Sequence, residues 1–456
     1  MTTATLSSYD EVLKIFYLPA IREQLNHDTI LADIIDVNEE DVSGKDAKIE
    51  MGYGKTTGIG ARGDGEALPA ADYQKHKQAT VPMQYLYGRI QVSGPTMTAT
   101  RDERGAYAKV LDREIQGVVR DLKKDVNRQL WGAGCGLLAR WRSGDSTALT
   151  VQKKYRGNSA GEDGFGSTFG AKYIETSDPI TVVQPTISSA TTGTYVVDDT
   201  NMAPSAITRT EADYDSLTVT APVGVTEASG CFYVQFNNSV ANLGADSQDA
   251  GVNRKEMMGL RGIVTDTDID NISFDTGSYT GLTVNDPLQG LAVATYDWFK
   301  ANVDSHASGR YEGQRSLSLT LMDTMFDNVE EKAGVNYGPD LILTTRALRR
   351  EYTDLCRADR RFVNTMTLDG GWKAIDYNGV PFTVDNDAID GEIYFLTTKD
   401  INLYRMSDYD WMNDDGSVLS RVSGYDAYEA VLFRYSELGC SRRNSHGVIT
   451  DLAYTL

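Results

Sequence analysis

Cysteine is scarce: four in 456 residues, at positions 135, 231, 356 and 440, with no CxxC pair. Neither a zinc site nor a disulfide framework is indicated, and buried thiols are the expectation. Histidine is equally sparse, with His27, His76, His306 and His446 scattered and no HExxH or GxSxG pattern. Cys356 with His306, or Cys440 with His446, stays open as a nucleophile and base, because such partners need only meet in space. No apolar run approaches the roughly 18 to 20 residues that a bilayer span needs. The opening MTTATLSSYDEVLK also lacks the basic start and apolar stretch of a secretory signal, so intracellular production without a membrane partner is expected. Positive charge is outnumbered: 44 Lys and Arg against 65 Asp and Glu leave a net charge of −21, which opposes tight sequence-independent binding to nucleic acid. Internal repeats and low-complexity runs are missing too.

The length suggests two to four folding units, and 41% hydrophobic with 24% charged residues is an ordinary globular balance. The chain is organised around one long amphipathic helix predicted over Arg101–Trp131. Tyr107, Val110, Leu111, Ile115, Val118, Val119, Leu122, Val126 and Leu130 recur at helical spacing, while Arg113, Gln116, Arg120, Lys123, Lys124 and Asn127 fall on the other side. One face should pack and the other be wet. Thr100 and Glu103 have capping-box spacing, and Gly132, Gly134 and Gly136 mark the end. At 1.5 Å per residue the helix is a strut roughly 45 Å long.

Before the strut, Ser8 to about Asn26 reads as a helix with Val12, Leu13, Phe16, Tyr17 and Ile21 as apolar positions and Pro19 as a kink, followed by a second patch at Ile30, Leu31, Ile34, Ile35 and Val37. With little core of their own, the two segments look like an arm that buries itself elsewhere, a neighbouring copy being one candidate. Lys48–Ser93 is Gly-rich and then strand-like. Val81, Met83, Tyr85 and Tyr87 alternate, and the pattern shifts to Ile90 and Val92 beyond Gly88, as a bulge would cause. A long two-stranded loop with a flexible tip is predicted, resting on another surface because an isolated hairpin is marginal.

After the strut, Ser143 to about Asn253 holds short strand candidates at Thr181–Val183, Thr194–Val197, Leu217–Val219 and Cys231–Phe236, which suggests an inserted small barrel or sandwich. Then come EMMGLRGIV (Glu256–Val264), a helix predicted at about Pro287–Ser305, helices at Leu319–Lys332 and Thr345 to about Leu355, and strands at Leu341–Leu343, Val380–Asp385, Ile393–Thr397, Glu429–Ser441 and Gly447–Leu452. Helices around a mixed sheet make an α/β unit.

Several motifs tempt and fail. GKTTGIG at Gly54, Lys55 and Thr56 lacks the first glycine of a phosphate loop, Ile49 standing in its place, and no helix follows. Arg62-Gly63-Asp64 is an incidental tripeptide. Asp266, Asp268 and Asp270 have calcium-loop spacing, but Asn271 and Gly277 stand where the turn Gly and bidentate Glu belong. Asp408, Asp410, Asn413, Asp414 and Asp415 are spaced less well still. No catalytic, cofactor-binding or metal-binding residue is therefore assigned.

The order of elements resembles the major capsid protein of tailed bacteriophages, the Hong Kong 97-type fold. LPAIREQLN (Leu18–Asn26), the loop and long helix, MMGLRGIV (Met257–Val264), LILTTRALRREY (Leu341–Tyr352), and the pairing of DYNGVPFTVD (Asp376–Asp385) with EIYFLTTKDINLYR (Glu392–Arg405) carry that resemblance. It implies an α+β chain with an N-terminal arm (1–48), an extended loop (49–93), a peripheral domain with the spine helix (94–142), a β-rich inserted domain (143–253), more peripheral domain (254–296), an axial domain (297–426) and returning peripheral strands (427–456). The implied function is structural, not enzymatic. Copies assemble as pentamers and hexamers into an icosahedral shell around double-stranded DNA, without sequence-specific binding and without a cofactor. The implied location is the virion capsid, assembled in the bacterial cytoplasm with portal protein, a decoration protein being one further candidate partner. An arm reached within about ten residues of Met1 points to a separate scaffolding protein. Lys55, Lys75 and Lys77 match no crosslinking motif, so a non-covalent shell is expected. Inter-subunit contacts are expected from Phe16, Tyr17 and Ile21 of the arm, Tyr53, Arg62, Asp64 and Tyr73 of the loop, and the basic row Arg113, Arg120 and Lys123. The alternatives are the shell of a protein-storage nanocompartment, which shares the fold, a calcium-dependent surface protein, and a cysteine hydrolase.

Overall fold

The computed structural model describes residues 30–95, 104–134, 137–143, 148–152, 171–176, 178–189, 192–209, 214–219, 232–236, 256–268, 287–306, 315–334, 337–358, 365–367, 373–413 and 418–454. The predicted first helix at Ser8–Asn26 and the Thr100–Glu103 cap lie outside these residues. The strut is present as Arg104–Trp131, 28 residues and so about 42 Å long. Ile115, Val119, Leu122, Val126 and Leu130 are buried along one stripe, as their spacing requires.

That stripe packs on a five-stranded sheet in which Ala427–Cys440 lies between Gln84–Ser93 on one edge and Ile401–Trp411 and Ser420–Arg421 on the other, with Asp36–Asn38 added parallel to Ile401–Trp411. Gln84–Ser93 runs in unbroken antiparallel register from Gln84 opposite Ser436 to Ser93 opposite Ala427, so the bulge expected at Gly88 is not there. The change of phase comes at Met83, which separates two strands. Gly88 has another reason: a Cβ would lie 2.9 Å from Val118 Cγ1, so only glycine lets the helix sit this close to the sheet.

The arm reading is also corrected in part. Leu31 and Ile35 are buried in this chain's own core and Asp36–Asn38 is part of its own sheet, while Val37 is exposed.

A seven-stranded mixed sheet forms the α/β unit, in the order Asn302–Asp304, Gly447–Ile449, Ile393–Leu396, Leu341–Thr344, Val380–Val384, Lys373–Tyr377, Thr365–Thr367. Alternation sorts its side chains. Leu341 and Leu343 join the core shared with the strut, while Ile342, Phe382 and Phe395 face the helices Leu319–Ala333 and Arg346–Ala358. The edge of Trp131 meets Tyr394, centroids 5.6 Å apart, and ties strut to sheet. The helix predicted at Pro287–Ser305 is instead a single 3-10 turn, Leu288–Gly290, then irregular chain and the strand Asn302–Asp304. Positive φ at Gln289 (55°) and Gly290 (77°) cannot continue a helix, and Leu288, Leu291 and Phe299 reach the core from separate turns.

The β-rich insertion begins directly after the strut, at Leu137. Its strands make an open antiparallel sheet in the order Ala206–Thr208, Tyr214–Thr218, Ala148–Gln152, Leu137–Ser143, Phe232–Phe236, Ile180–Ser189, Thr192–Met202, whose end strands do not pair with each other. A single sheet among the described residues replaces the expected barrel or sandwich. Its small core is Leu138, Val151, Ala171, Ile174, Ile180, Leu217 and Val219.

Candidate assembly surfaces

The predicted loop is a hairpin in which Asp46–Gly54 pairs with Lys75–Pro82, from Asp46 opposite Pro82 to Gly54 opposite Lys75. Its middle is anchored on its own chain. The Tyr53 ring stacks on Trp298 at 5.0 Å with planes 5° apart, and Lys77 Nζ lies 5.1 Å over the Tyr296 ring. Beyond this anchor the mouth is held by Asp72, whose Oδ2 accepts from the Thr57 amide (2.9 Å) and hydroxyl (2.6 Å). Those two bonds hold the Asp72 carboxyl down at about 2. The tip then stands in solvent: Ile59, Leu68 and Tyr73 are 81, 85 and 75% exposed, and Arg62 and Asp64 are exposed beside them. Large apolar side chains held this far into water on an anchored hairpin make the tip a candidate contact surface.

A second surface is the outer face of Gln84–Ser93 and Ala427–Cys440. Tyr85 meets Tyr435 edge-on at 5.0 Å, Tyr87 meets it at 6.0 Å, and Phe433 packs beside it, with Tyr85 and Tyr87 about half exposed. Their exposure follows from the register: the alternate residues Leu86, Gly88 and Ile90 face the strut.

The expected basic row divides. Arg120 and Lys124 are exposed, and the side chain of Arg113 lies outside the description. Lys123, expected on the wet face, is buried, and so is Asn127. The last two turns of the strut are surrounded on all sides, so the wet face ends before them. There Arg128 donates to Glu256 (2.6 and 2.9 Å) and Asp125 (2.7 and 3.0 Å), and Gln129 accepts from the Met257 amide. Burial alone would lower the Arg128 pKa, but the two carboxylates outweigh it and the value is raised. Asn127 Nδ2 donates to Asp387 at 2.5 Å and to Asp385 at 3.3 Å. Lys172 and Tyr173 of the insertion bond the same Asp387, so one carboxylate joins strut, insertion and α/β unit. Burial, with Asp387 alongside, pushes the Asp385 carboxyl up.

Arg443 escaped sequence reading. Fully buried, it donates to the backbone carbonyls of Ile263 (2.7 Å), Thr267 (3.1 Å) and Gly262 (3.2 Å), fastening MMGLRGIV to the end of the chain. Only its position between two polar residues in an Arg-Arg pair was visible, which is no signal of burial. Of the other expected site residues, Phe16, Tyr17 and Ile21 lie outside the described residues.

The catalytic and metal possibilities find little in this geometry. Burial pushes the Cys440 thiol up to about 12 and the His446 imidazole down to about 3, the reverse of what a thiolate and its base need. Cys356 is buried as well. Asp268 is a loop anchor whose Oδ1 accepts from the Val293 amide, and Asp270 lies outside the description. Among the described residues no group of three metal-ligating side chains converges, and no helix is long and apolar enough to cross a membrane.

His446 gives a pH signature. Burial, with the Arg443 guanidinium nearby, holds it neutral in the folded state, where its Nδ1 accepts from the Thr397 amide at 3.2 Å, while the unfolded chain protonates it near 6.5. Between about 6.5 and about 3 the unfolded state therefore binds the extra proton, and stability falls as pH falls. From this residue alone the loss between pH 7 and 5 is about 2 kcal/mol. Urea midpoints at the two pH values measure it, and the His446→Gln variant should show a correspondingly weaker dependence.

No family model and no curated protein sequence matches the chain. Solved structures similar to it include the capsid asymmetric unit of cyanophage A-1(L), at 13% identity over 93% of each chain with a TM-score of 0.49. The capsid of Myoviridae phage XM1 is similar at 8% identity over 93% of this chain and 91% of that one, TM-score 0.41. Mycobacterium phage Patience is similar at 11% identity over 100% and 92%, TM-score 0.41.

Proposed function

We propose that this chain is the major capsid protein of a tailed bacteriophage, a structural subunit with the Hong Kong 97-type fold whose copies close into a shell around double-stranded DNA. The observation that carries the reading is the hairpin: stacked at Tyr53 on its own Trp298, it presents Ile59, Leu68 and Tyr73 to solvent, with none of the described residues covering them. A surface of that kind is satisfied by another copy, and a contact repeated at every boundary gains through multivalency what each site lacks in area. The order of hairpin, long helix, inserted sheet and α/β unit supports the reading. Pentamers and hexamers, a scaffolding protein, a portal, a decoration protein and assembly in the host cytoplasm belong to the same proposal. The net charge of −21 fits a wall that does not grip the genome it encloses.

Negative-stain electron microscopy of the purified chain, produced with and without the other proteins of its phage, tests this. Closed icosahedral particles or ring-shaped capsomers are the expected result. A chain that stays monomeric under both conditions overturns the reading.

A further inference from the structure

Two helices of the α/β unit carry their charges at ends where their own dipoles oppose them. Arg346–Ala358 has no acid in its first turn and places Arg346, Arg349 and Arg350 within its first five residues, at the positive end of its dipole. Leu319–Ala333 has no acid in its first turn either, and places Asp327, Glu330 and Glu331 in its second half, at the negative end, against the single Lys332. Arg346, Arg350, Asp327 and Glu331 are exposed. No ion pair among the described residues involves any of these six acids and arginines, whereas Arg357, further along the same basic helix, is neutralised by Asp354 at 3.1 Å.

The two poles also lie apart. Both helices pack on one face of the seven-stranded sheet. The acidic helix ends shortly before Leu341–Thr344, with the Lys332 carbonyl accepting from Asn444, and the basic helix begins immediately after that strand. Residues 334–345, among them the four-residue strand Leu341–Thr344, roughly 13 Å long, lie between a negative pole and a positive one, neither of which has an ion pair among the described residues. A surface with opposite charges at opposite ends is complementary to the next copy of itself head to tail, and such heterologous contacts close into rings. Duplex DNA fits less well, because the neighbouring acidic pole repels the phosphates that the arginines attract.

We infer that the positive pole at Arg346, Arg349 and Arg350 of one copy docks on the negative pole at Asp327, Glu330 and Glu331 of the next, and that this pairing sets the head-to-tail order of copies in a capsomer. The inference rests on the capsid reading and names the charges that drive one of its contacts.

The experiment reverses one pole at a time. Arg346→Glu with Arg350→Glu, and separately Asp327→Lys with Glu331→Lys, are made in the full chain, checked for folding by circular dichroism, and followed by sedimentation velocity in about 0.1 M salt, where exposed charges still act over ~10 Å. Each single-pole variant is expected to assemble about tenfold more weakly, and the variant carrying all four reversals to assemble like the unmodified chain. The two single-pole variants, weak alone, should assemble more strongly when mixed, because in an alternating ring of six every junction joins unlike charges, whereas a ring of five keeps one junction of like charges. Single-pole variants that assemble normally, or a fourfold variant no better than its parents, overturn the pairing. If a reversal fails to fold, salt titration of the unmodified chain still decides: assembly indifferent to salt up to about 1 M overturns it. Duplex DNA binding that vanishes with Arg346→Glu and Arg350→Glu while assembly persists gives the positive pole to nucleic acid and overturns it likewise. An unmodified chain that never assembles defeats the capsid reading itself, whereas an assembling chain with indifferent variants defeats only this pairing.

Discussion

Shortening the loop hairpin at its tip is expected to abolish shells while leaving the subunit folded. A cut from Gly52 to Ala71 would take away Tyr53, which stacks on Trp298, and the Thr57 donors that hold Asp72. The sharper variant replaces only residues 58–71 with an Asn-Gly turn. It keeps the strand pairing from Asp46 to Gly54 and removes Ile59 and Leu68, which bury almost nothing within the chain. Because surface segments without buried contacts contribute little to stability, the thermal midpoint should move by no more than about 2 °C. Assembly should change all or none, since a shell multiplies the lost contact by every boundary. Electron microscopy and a melting curve on the same preparation separate the two effects. Normal particles from the shortened chain would remove the hairpin from the assembly scheme, and a collapsed melting point would make it part of the fold.

Replacing Arg128 by methionine is expected to cost about 3 to 5 kcal/mol of stability. The guanidinium is 2% exposed and compensates Glu256, itself 6% exposed, together with the half-buried Asp125. A similar-sized apolar side chain fills the space but leaves Glu256 as a buried charge without its cation, and that is where the penalty arises. The double variant Arg128→Met with Glu256→Leu removes both charges and should recover most of the loss. Denaturant midpoints of the two variants and the parent measure it, and a double variant as unstable as the single one would mean that packing around Arg128, not charge, dominates. The favourable placement of Arg128 in the strut's last turn, where the dipole welcomes a cation, adds a smaller share.

The asymmetry between these two predictions reflects how the chain divides its interactions. At the C-terminal end of the strut, polar groups are buried and paired across segments far apart in sequence: Asn127 with Asp385 and Asp387, Arg128 with Glu256, Arg443 with the backbone around Ile263. Losses there act on folding. At the hairpin tip, the outer aromatic face of Tyr85, Tyr87 and Tyr435, and the two charged poles of the α/β unit, side chains meet solvent, and losses there are expected to act on association.

Much of the scaffold could be read from residue spacing. The strut, the hairpin, the helices at Leu319 and Arg346 and the strands at Leu341, Val380, Ile393 and Ala427 all announce themselves through local periodicity, which a helix or strand imposes on its own sequence. Local pattern failed where a residue's neighbour was remote. Pro287–Ser305 has helical spacing of Leu288, Leu291 and Phe299, yet its backbone follows separate anchor points in the core and turns through positive φ at Gln289. The shift at Gly88 imitates a bulge, but the glycine answers to Val118 in a helix thirty residues on.

The sequence by itself therefore determined the elements, the order in which they follow one another and the absence of local catalytic motifs, because each of these depends on neighbours along the chain. Tertiary structure alone decided that Lys123 and Asn127 are buried on a face that reads as wet, that Asp36–Asn38 joins its own chain's sheet, that Tyr85 and Tyr87 turn outward, and that the helices carrying the acidic and the basic cluster pack on one face of the same sheet. Burial and pairing are properties of what lies across space, and polar residues state no preference for either until the partner that satisfies them has been brought into place.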